Sequence, residues 1–270
     1  MPNIIPLQHS VHANAGFQRA RNFEHAQQDR FVPVLLDELS QVITTMPVCL
    51  IRDRSSSKGE LDGFRLVALQ ALEGNQNLYL NPQTLQWMSR YTPAYYRSYP
   101  FVLGVNSARE KRVLCFNLDS GLLREHPTDD DVLFFDQQGS PSQELNDTMR
   151  FLEAAAQGRQ KTQKAVEALE AVDLIQEWPM SFKQEEKTVA IKGIYRINET
   201  AMNALPDDTL QHLQQIGALK MAYSQLLSMP QLKNLAKLRD LHSRAAEAIN
   251  QQDVNDLLNS DDSFHFDFDS

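Results

Sequence analysis

The sequence predicts an α+β protein with a mainly antiparallel N-terminal sheet, a long central helix, a second β-hairpin and a helical C-terminal region. Three observations carry that expectation. Short apolar runs alternate with turn-length polar segments through the first half of the chain. A capped run of helix-forming residues begins near position 140. Beyond position 198, apolar residues recur at helical spacing between Pro and Gly breaks.

Residues 8–30 contain His9, His12, His25, Arg19, Arg21 and Arg30 without clear periodicity, and read as an irregular or partly helical arm over the surface. Leu36, Leu39, Val42 and Ile43 then fall at helical spacing, and Met46-Pro47 stops that helix before a strand at 48–51. Residues 52–63 are a turn-rich loop and 64–69 a returning strand, so a β-hairpin is the expected unit. Shorter strands are expected at 78–80, 101–105 and 113–118, the last two joined by the charged turn 106–111. Connections this short favour antiparallel pairing.

In the second half, Ser140-Pro141-Ser142-Gln143 reads as a capping box with Ser140 as the N-cap and Pro141 at the first helical position. Leu145, Met149, Leu152 and Ala156 form one apolar face, and Val166, Leu169 and Val172 another. The polar stretch 157–164 between them predicts either a solvent-bridging turn or a break into two helices. Trp178-Pro179 ends the run, after which 180–182 and 188–197 read as a hairpin with Val189, Ile191, Gly193, Tyr195 and Ile197 on one face. Asn198 then caps a series of short helices punctuated at Leu205-Pro206, Gly217 and Met229-Pro230. Their apolar positions include Met202, Leu210, Leu213, Leu219, Tyr223, Leu226, Leu232, Leu235 and Leu238.

With 270 residues, the chain is read as a single domain over 1–250, with room for two lobes meeting near 140, followed by an acidic flexible tail at 251–270. The tail holds six Asp and no Lys or Arg, and Phe264, Phe266 and Phe268 alternate with polar residues in it. That pattern suits either a frayed end or a strand added to a partner's sheet. Acids outnumber bases 35 to 26, giving a net charge of -9, which argues against nucleic acid as a partner. No apolar run approaches the length of a membrane span, so direct membrane insertion is not expected. Cys49 and Cys115 each sit in an apolar run and read as buried, structural thiols of a cytoplasmic protein. The first residues carry no signal-peptide pattern, which supports the same location.

The densest cluster of chemistry-bearing side chains is the stretch 91–101, with Tyr91, Tyr95, Tyr96, Arg97 and Tyr99. Two readings compete. Four phenols around a guanidinium can form an aromatic platform that recognises a carboxylate or phosphate. Alternatively Pro93 and Pro100 bracket a tight turn whose tyrosines pack between sheet and helix with their hydroxyls on backbone groups. The same stretch, Tyr91-Thr92-Pro93-Ala94-Tyr95-Tyr96-Arg97-Ser98-Tyr99-Pro100-Phe101, resembles the signature of the SapC family. Pro2-Asn3-Ile4-Ile5-Pro6-Leu7, Val32-Pro33-Val34, Asp119-Ser120, Gly193-Ile194-Tyr195-Arg196-Ile197 and Leu205-Pro206 are similar to that family's pattern in order and spacing. The resemblance spans about residues 1–240 and leaves out the acidic tail. The family is named for a surface-layer-associated protein and carries no assigned catalytic residue. It implies at most an accessory role in a surface-layer pathway, or in one associated with halogenase-like and oxygenase-like proteins.

Other chemistries are weaker. His9 with His12, or His265 with Asp262, Asp267 and Asp269, lack a third ligand fixed on a rigid element, so no metal is expected. Ser120 follows a strand but lacks the glycine pair of a nucleophile elbow, and Asp119 suits a turn cap or an arginine partner. His126, His212 and His242 read as surface residues, and no phosphate-binding loop, CxxC or HExxH occurs. The expectation is a non-enzymatic binding or accessory protein without cofactor, holding a protein partner or small-molecule ligand on its tyrosine-rich surface, with homo-oligomerisation left open. The alternative is an oxygenase-like or transferase enzyme whose catalytic residues converge only in the fold. A pocket of ionisable groups with displaced pKa values would favour the enzyme, and a flat aromatic patch the binding module.

Overall fold

The computed structural model describes residues 3–52, 63–105, 112–184 and 187–259, and the fold is α+β. In the first half the strands are β1 (Ile4–Pro6), β2 (Gly16–Phe17), β3 (Phe31–Pro33), β4 (Val48–Arg52), β5 (Phe64–Leu69), β6 (Phe101–Val105) and β7 (Arg112–Asn117). They are followed by β8 (Leu123–Arg124), β9 (Val132–Leu133), β10 (Ile175–Glu177), β11 (Met180–Gln184), β12 (Lys187–Ile191) and β13 (Ile194–Ile197). The helices are α1 (His9–His12), α2 (Leu39–Val42), α3 (Ala94–Arg97) and α4 (Gln143–Ala171), then α5 (Glu199–Asn203), α6 (Asp207–Gln215), α7 (Ala218–Ser228) and α8 (Leu232–Asn259).

Every pairing is antiparallel, but the strands do not share one sheet. The main sheet runs β10-β13-β4-β5-β3, while β1-β7-β6 and β8-β2-β9 form two smaller ones and β11-β12 a separate ribbon. The expected hairpins β4-β5 and β6-β7 are present, with Cys49 opposite Val67 and Val102 opposite Cys115. Their connecting segments, 53–62 and 106–111, lie outside the described residues, as do 260–270 with His265 and the alternating phenylalanines.

Two hydrophobic cores follow from this division. The larger joins the main sheet to α4 and α7 through Val32, Leu50, Leu66, Leu69, Val166, Leu169, Ile194, Ile197 and Met221. The smaller is built on Phe17, Phe101, Phe116, Phe134, Phe135, Leu145 and Leu152. Its phenylalanines meet largely edge to face, with Phe101 against Phe116 at 5.2 Å between centroids. The segment expected to be a surface arm supplies this core: β2 pairs with β8 and β9, and His12 and Phe17 are buried.

α4 is one unbroken helix, contrary to the expected turn or break. Its 29 residues span about 43 Å at the α-helical rise. Leu145 and Leu152 enter the small core and Val166 and Leu169 the large one, so the helix bridges both. The polar middle hides a small-residue face of Ala155, Gly158 and Thr162. A Cβ on Gly158 would approach Leu35 Cδ1 to 3.2 Å, and the Thr162 hydroxyl donates to Gly158 O and accepts from Leu36 N at 2.9 Å. The helix also starts later than expected. Ser142, with its Oγ accepting from Leu145 N, is the N-cap, because Pro141 is bridged to Phe135 and held outside the helix.

The second hairpin is divided as well. β11 pairs with β12, then Gly193 at φ +78 reverses the alternation and releases β13 to join β4 and β10 in the main sheet. Residues 78–80 form no strand, only the isolated bridge Leu80 to Trp87. In the C-terminal region Asn198 caps α5 as expected, its side chain accepting from Ala201 N. α7, however, turns small and polar residues inward and leaves Tyr223 and Leu227 exposed. Gln225 and Ser228 bond to Val48, and Gln225 also accepts from Ile197 N, so this face completes the hydrogen bonding of β4 and β13.

Candidate functional site

A cleft of about 1010 Å³ opens between the tyrosine-rich stretch, the 20–29 segment, the start of β6 and α4. Its lining includes Tyr95, Tyr96, Tyr99, His25, Asp29 and Arg159. Two carboxylates position the stretch that forms its wall. Glu38 is buried; its Oε1 accepts from Leu35 N, while Oε2 accepts from the Tyr91 hydroxyl and from Ala94 N, each at 2.8 Å. Ala94 opens the single turn of α3, so Glu38 ties the start of that turn to the Leu35–Glu38 turn that precedes α2.

On the same wall, the Tyr96 hydroxyl lies 2.8 Å from both Asp29 Oδ2 and Gln70 Oε1. Burial raises the Asp29 carboxyl above its ordinary range, opposed by the phenol's hydrogen bond. Burial beside Asp29 also pushes the Tyr96 phenol well above its ordinary value. His25 stacks face to face on Tyr99, with centroids 3.6 Å apart and ring planes 4° from parallel. Desolvation lowers His25 to about 4, so the ring is neutral near pH 7. Its Nε2 is buried and has no hydrogen-bond partner among the described residues. Tyr99 is displaced upward by burial, with Glu24 and Asp119 adding to the shift. The Tyr99–Pro100 peptide at the end of this wall is cis.

The five residues singled out in the sequence separate into distinct roles. Tyr95 is 55% exposed at the cleft, Tyr96 only 3% exposed beneath it, and Tyr99 half-buried against His25. Tyr91 and Arg97 do not line the cleft. The Arg97 guanidinium lies over the rings of Phe151 and Tyr91 at 4.9 and 5.6 Å. It is therefore part of an exposed stack against α4, outside the cleft. The phenols of Tyr91 and Tyr96 bond to side-chain carboxylates, not to backbone.

Sequence reasoning did not nominate His25, Asp29 or Arg159. Nothing local to them signals a site: His25 and Asp29 reach the cleft from the 20–29 segment and Arg159 from α4, far along the chain. Ser120 and Asp119 also line the cleft, but Ser120 Oγ donates to Asn117 O and accepts from Leu122 N, and Asp119 accepts from Asn3 N. Both are turn-forming groups, with Asn117 rather than Asp119 as the cap. His242, expected on the surface, is buried between Gln76 and Leu78 O. His9 packs edge-on against Phe135, and no cluster of three or more His, Cys, Asp or Glu able to hold a metal occurs among the described residues. No helix among them is long and apolar enough to cross a membrane.

A family model described as SapC matches residues 7–235. No curated protein and no solved structure matches the chain.

Proposed function

The chain belongs to the SapC family, and on that footing we propose that it binds a small-molecule ligand in the cleft walled by Tyr95, Tyr96 and Tyr99. One observation carries the reading: the aromatic stretch forms one side of a cavity of about 1010 Å³ rather than a flat patch. Volumes on that order suit a drug-sized molecule, whereas protein hot spots favour flatter aromatic surfaces. The cleft mixes apolar walls with a few convergent polar groups, which is the composition a ligand site needs. Buried, unbridged thiols at Cys49 and Cys115 fit action in a reducing compartment such as the cytoplasm. A place in a surface-layer or halogenase/oxygenase-associated pathway rests on family association alone.

Native mass spectrometry of the full chain purified from cells, repeated on Tyr95→Ala and Arg159→Ala, tests the reading. Both substitutions alter exposed positions on the cleft and leave the core intact. A retained small molecule that is lost or depleted in the variants supports it. An empty protein whose melting temperature no compound in a metabolite panel raises sinks it.

A second reading is favoured by the grouping of His25, Asp29, Tyr96 and Tyr99, four titratable groups displaced from their ordinary values on one wall. Such grouping is what acid–base catalysis requires. Turnover of the retained molecule by the purified chain, abolished in Asp29→Asn, would move the assignment from binding to catalysis.

A further inference from the structure

Asp29 is a half-buried carboxylate of the cleft that no cation among the described residues pairs with. Its Oδ2 accepts from the Tyr96 hydroxyl, while Oδ1 has no protein donor and the carboxylate makes no ion pair among the described residues. The nearby imidazole of His25 is neutral near pH 7, so it supplies no positive charge. A partly desolvated carboxylate without a cation is unfavourable, and the upward displacement of its pKa reports that cost.

Aromatic rings line the same cleft as Asp29. Tyr96 sits beneath it with its ring edge-on to Tyr95 at 5.5 Å, and the Tyr99–His25 stack stands on the same wall. The π-faces of such rings attract cations and offer nothing to anions. The lining carries three carboxylates, Glu24, Asp29 and Asp119, against two guanidiniums, Arg21 and Arg159, and both arginines are exposed. The acidic excess lies with the aromatic wall.

We propose that the cleft takes an organic amine in its ammonium form, with Asp29 as the counter-ion and the rings of Tyr95 and Tyr99 as its aromatic walls. The ammonium donates to Oδ1, and the Tyr96 hydroxyl, which also lies 2.8 Å from Gln70 Oε1, fixes the carboxylate by donating to Oδ2. Arg21 and Arg159 remain available to an acidic group elsewhere on the same ligand.

This inference rests on the cleft being a ligand site, and its test separates the two claims. The full chain is titrated calorimetrically with methylammonium, tetramethylammonium and benzylammonium, with benzyl alcohol as the neutral counterpart and benzoate as the anion. At least one ammonium is expected to bind more tightly than benzyl alcohol. Asp29→Asn, which keeps an acceptor for Tyr96, is expected to weaken that ammonium by about tenfold or more, as loss of a charged hydrogen bond does. Tyr95→Ala, at an exposed position, is expected to weaken it by roughly two- to fivefold through lost cation–π attraction. Melting temperatures of both variants check that they fold. Ammonium ions that bind no better than benzyl alcohol overturn the proposal, as does an affinity that survives Asp29→Asn in a folded protein. Binding of benzoate alone, lost in Arg159→Ala, overturns the amine assignment and leaves the ligand cleft standing.

Discussion

The phenolic hydroxyl of Tyr91 donates to Glu38 Oε2 at 2.8 Å across 53 positions of sequence. The same oxygen accepts from Ala94 N, and the other oxygen from Leu35 N, so one buried carboxylate anchors the aromatic wall to the turn that begins α2. Glu38→Ala leaves buried donors without an acceptor, at roughly 1–3 kcal/mol for each group that cannot reach water. We expect a clear fall in the urea midpoint. Arg97→Ala, which removes an exposed stack on Phe151 and Tyr91 and a long, exposed hydrogen bond to the Tyr91 hydroxyl, is expected to cost less than about 1 kcal/mol. Equal losses for the two would contradict the anchoring role of Glu38.

Thr162 holds the middle of α4 against the Leu35–Glu38 turn. Thr162→Val keeps the shape but removes the acceptor for Leu36 N, so destabilisation of roughly 1–3 kcal/mol is expected from chemical unfolding. Helix content by circular dichroism should stay at the native level, since valine costs an α-helix only a few tenths of a kcal/mol more than threonine or less.

Acid should destabilise the fold through its histidines. Burial lowers His25 to about 4 and also lowers His242, despite backbone hydrogen bonds that favour its charged form. The unfolded chain regains ordinary imidazoles near pH 6.5 and so binds more protons below that value. Their contribution is therefore fully present above about pH 6.5 and is lost progressively as pH falls toward about 4. Asp29 acts in the opposite sense, because its raised value adds stability on acidification that disappears as pH rises through it. Two imidazoles against one carboxyl give a net loss. Urea midpoints measured across this window should fall with pH, and His25→Phe should flatten the slope.

Cys49 is fully buried and its thiol is pushed up to about 12 by desolvation. The native protein is expected to leave Cys49 unlabelled by a thiolate-directed disulfide reagent at neutral pH, and to react there only once denatured. Rapid labelling of Cys49 in the native state, located by peptide mapping, would show that β4 opens readily.

How far the sequence was legible depended on the range of the interaction. The hairpins β4-β5 and β6-β7 follow from short apolar runs on either side of a turn, and Asn198, Gly217 and Met229-Pro230 punctuate the C-terminal helices where their local chemistry places them. The burial of Cys49 followed from its apolar neighbours. By contrast α7 defeats the periodicity argument, since its inward face carries Gln225 and Ser228 and its exposed face Tyr223 and Leu227. Those polar residues are inside because unpaired backbone groups at Val48 and Ile197 need partners, a demand that arises only when β4 and β13 lie side by side.

The candidate site divides along the same line. By itself the sequence determined that four tyrosines and an arginine crowd into one short segment, because composition is local. Only the tertiary structure decided that Arg97 leaves the cleft while Asp29, His25 and Arg159 enter it. The reason is physical: a hydrogen bond such as Tyr96 to Asp29 joins positions 67 residues apart, and burial sets the proton affinity of each group only after distant chain segments have closed around it.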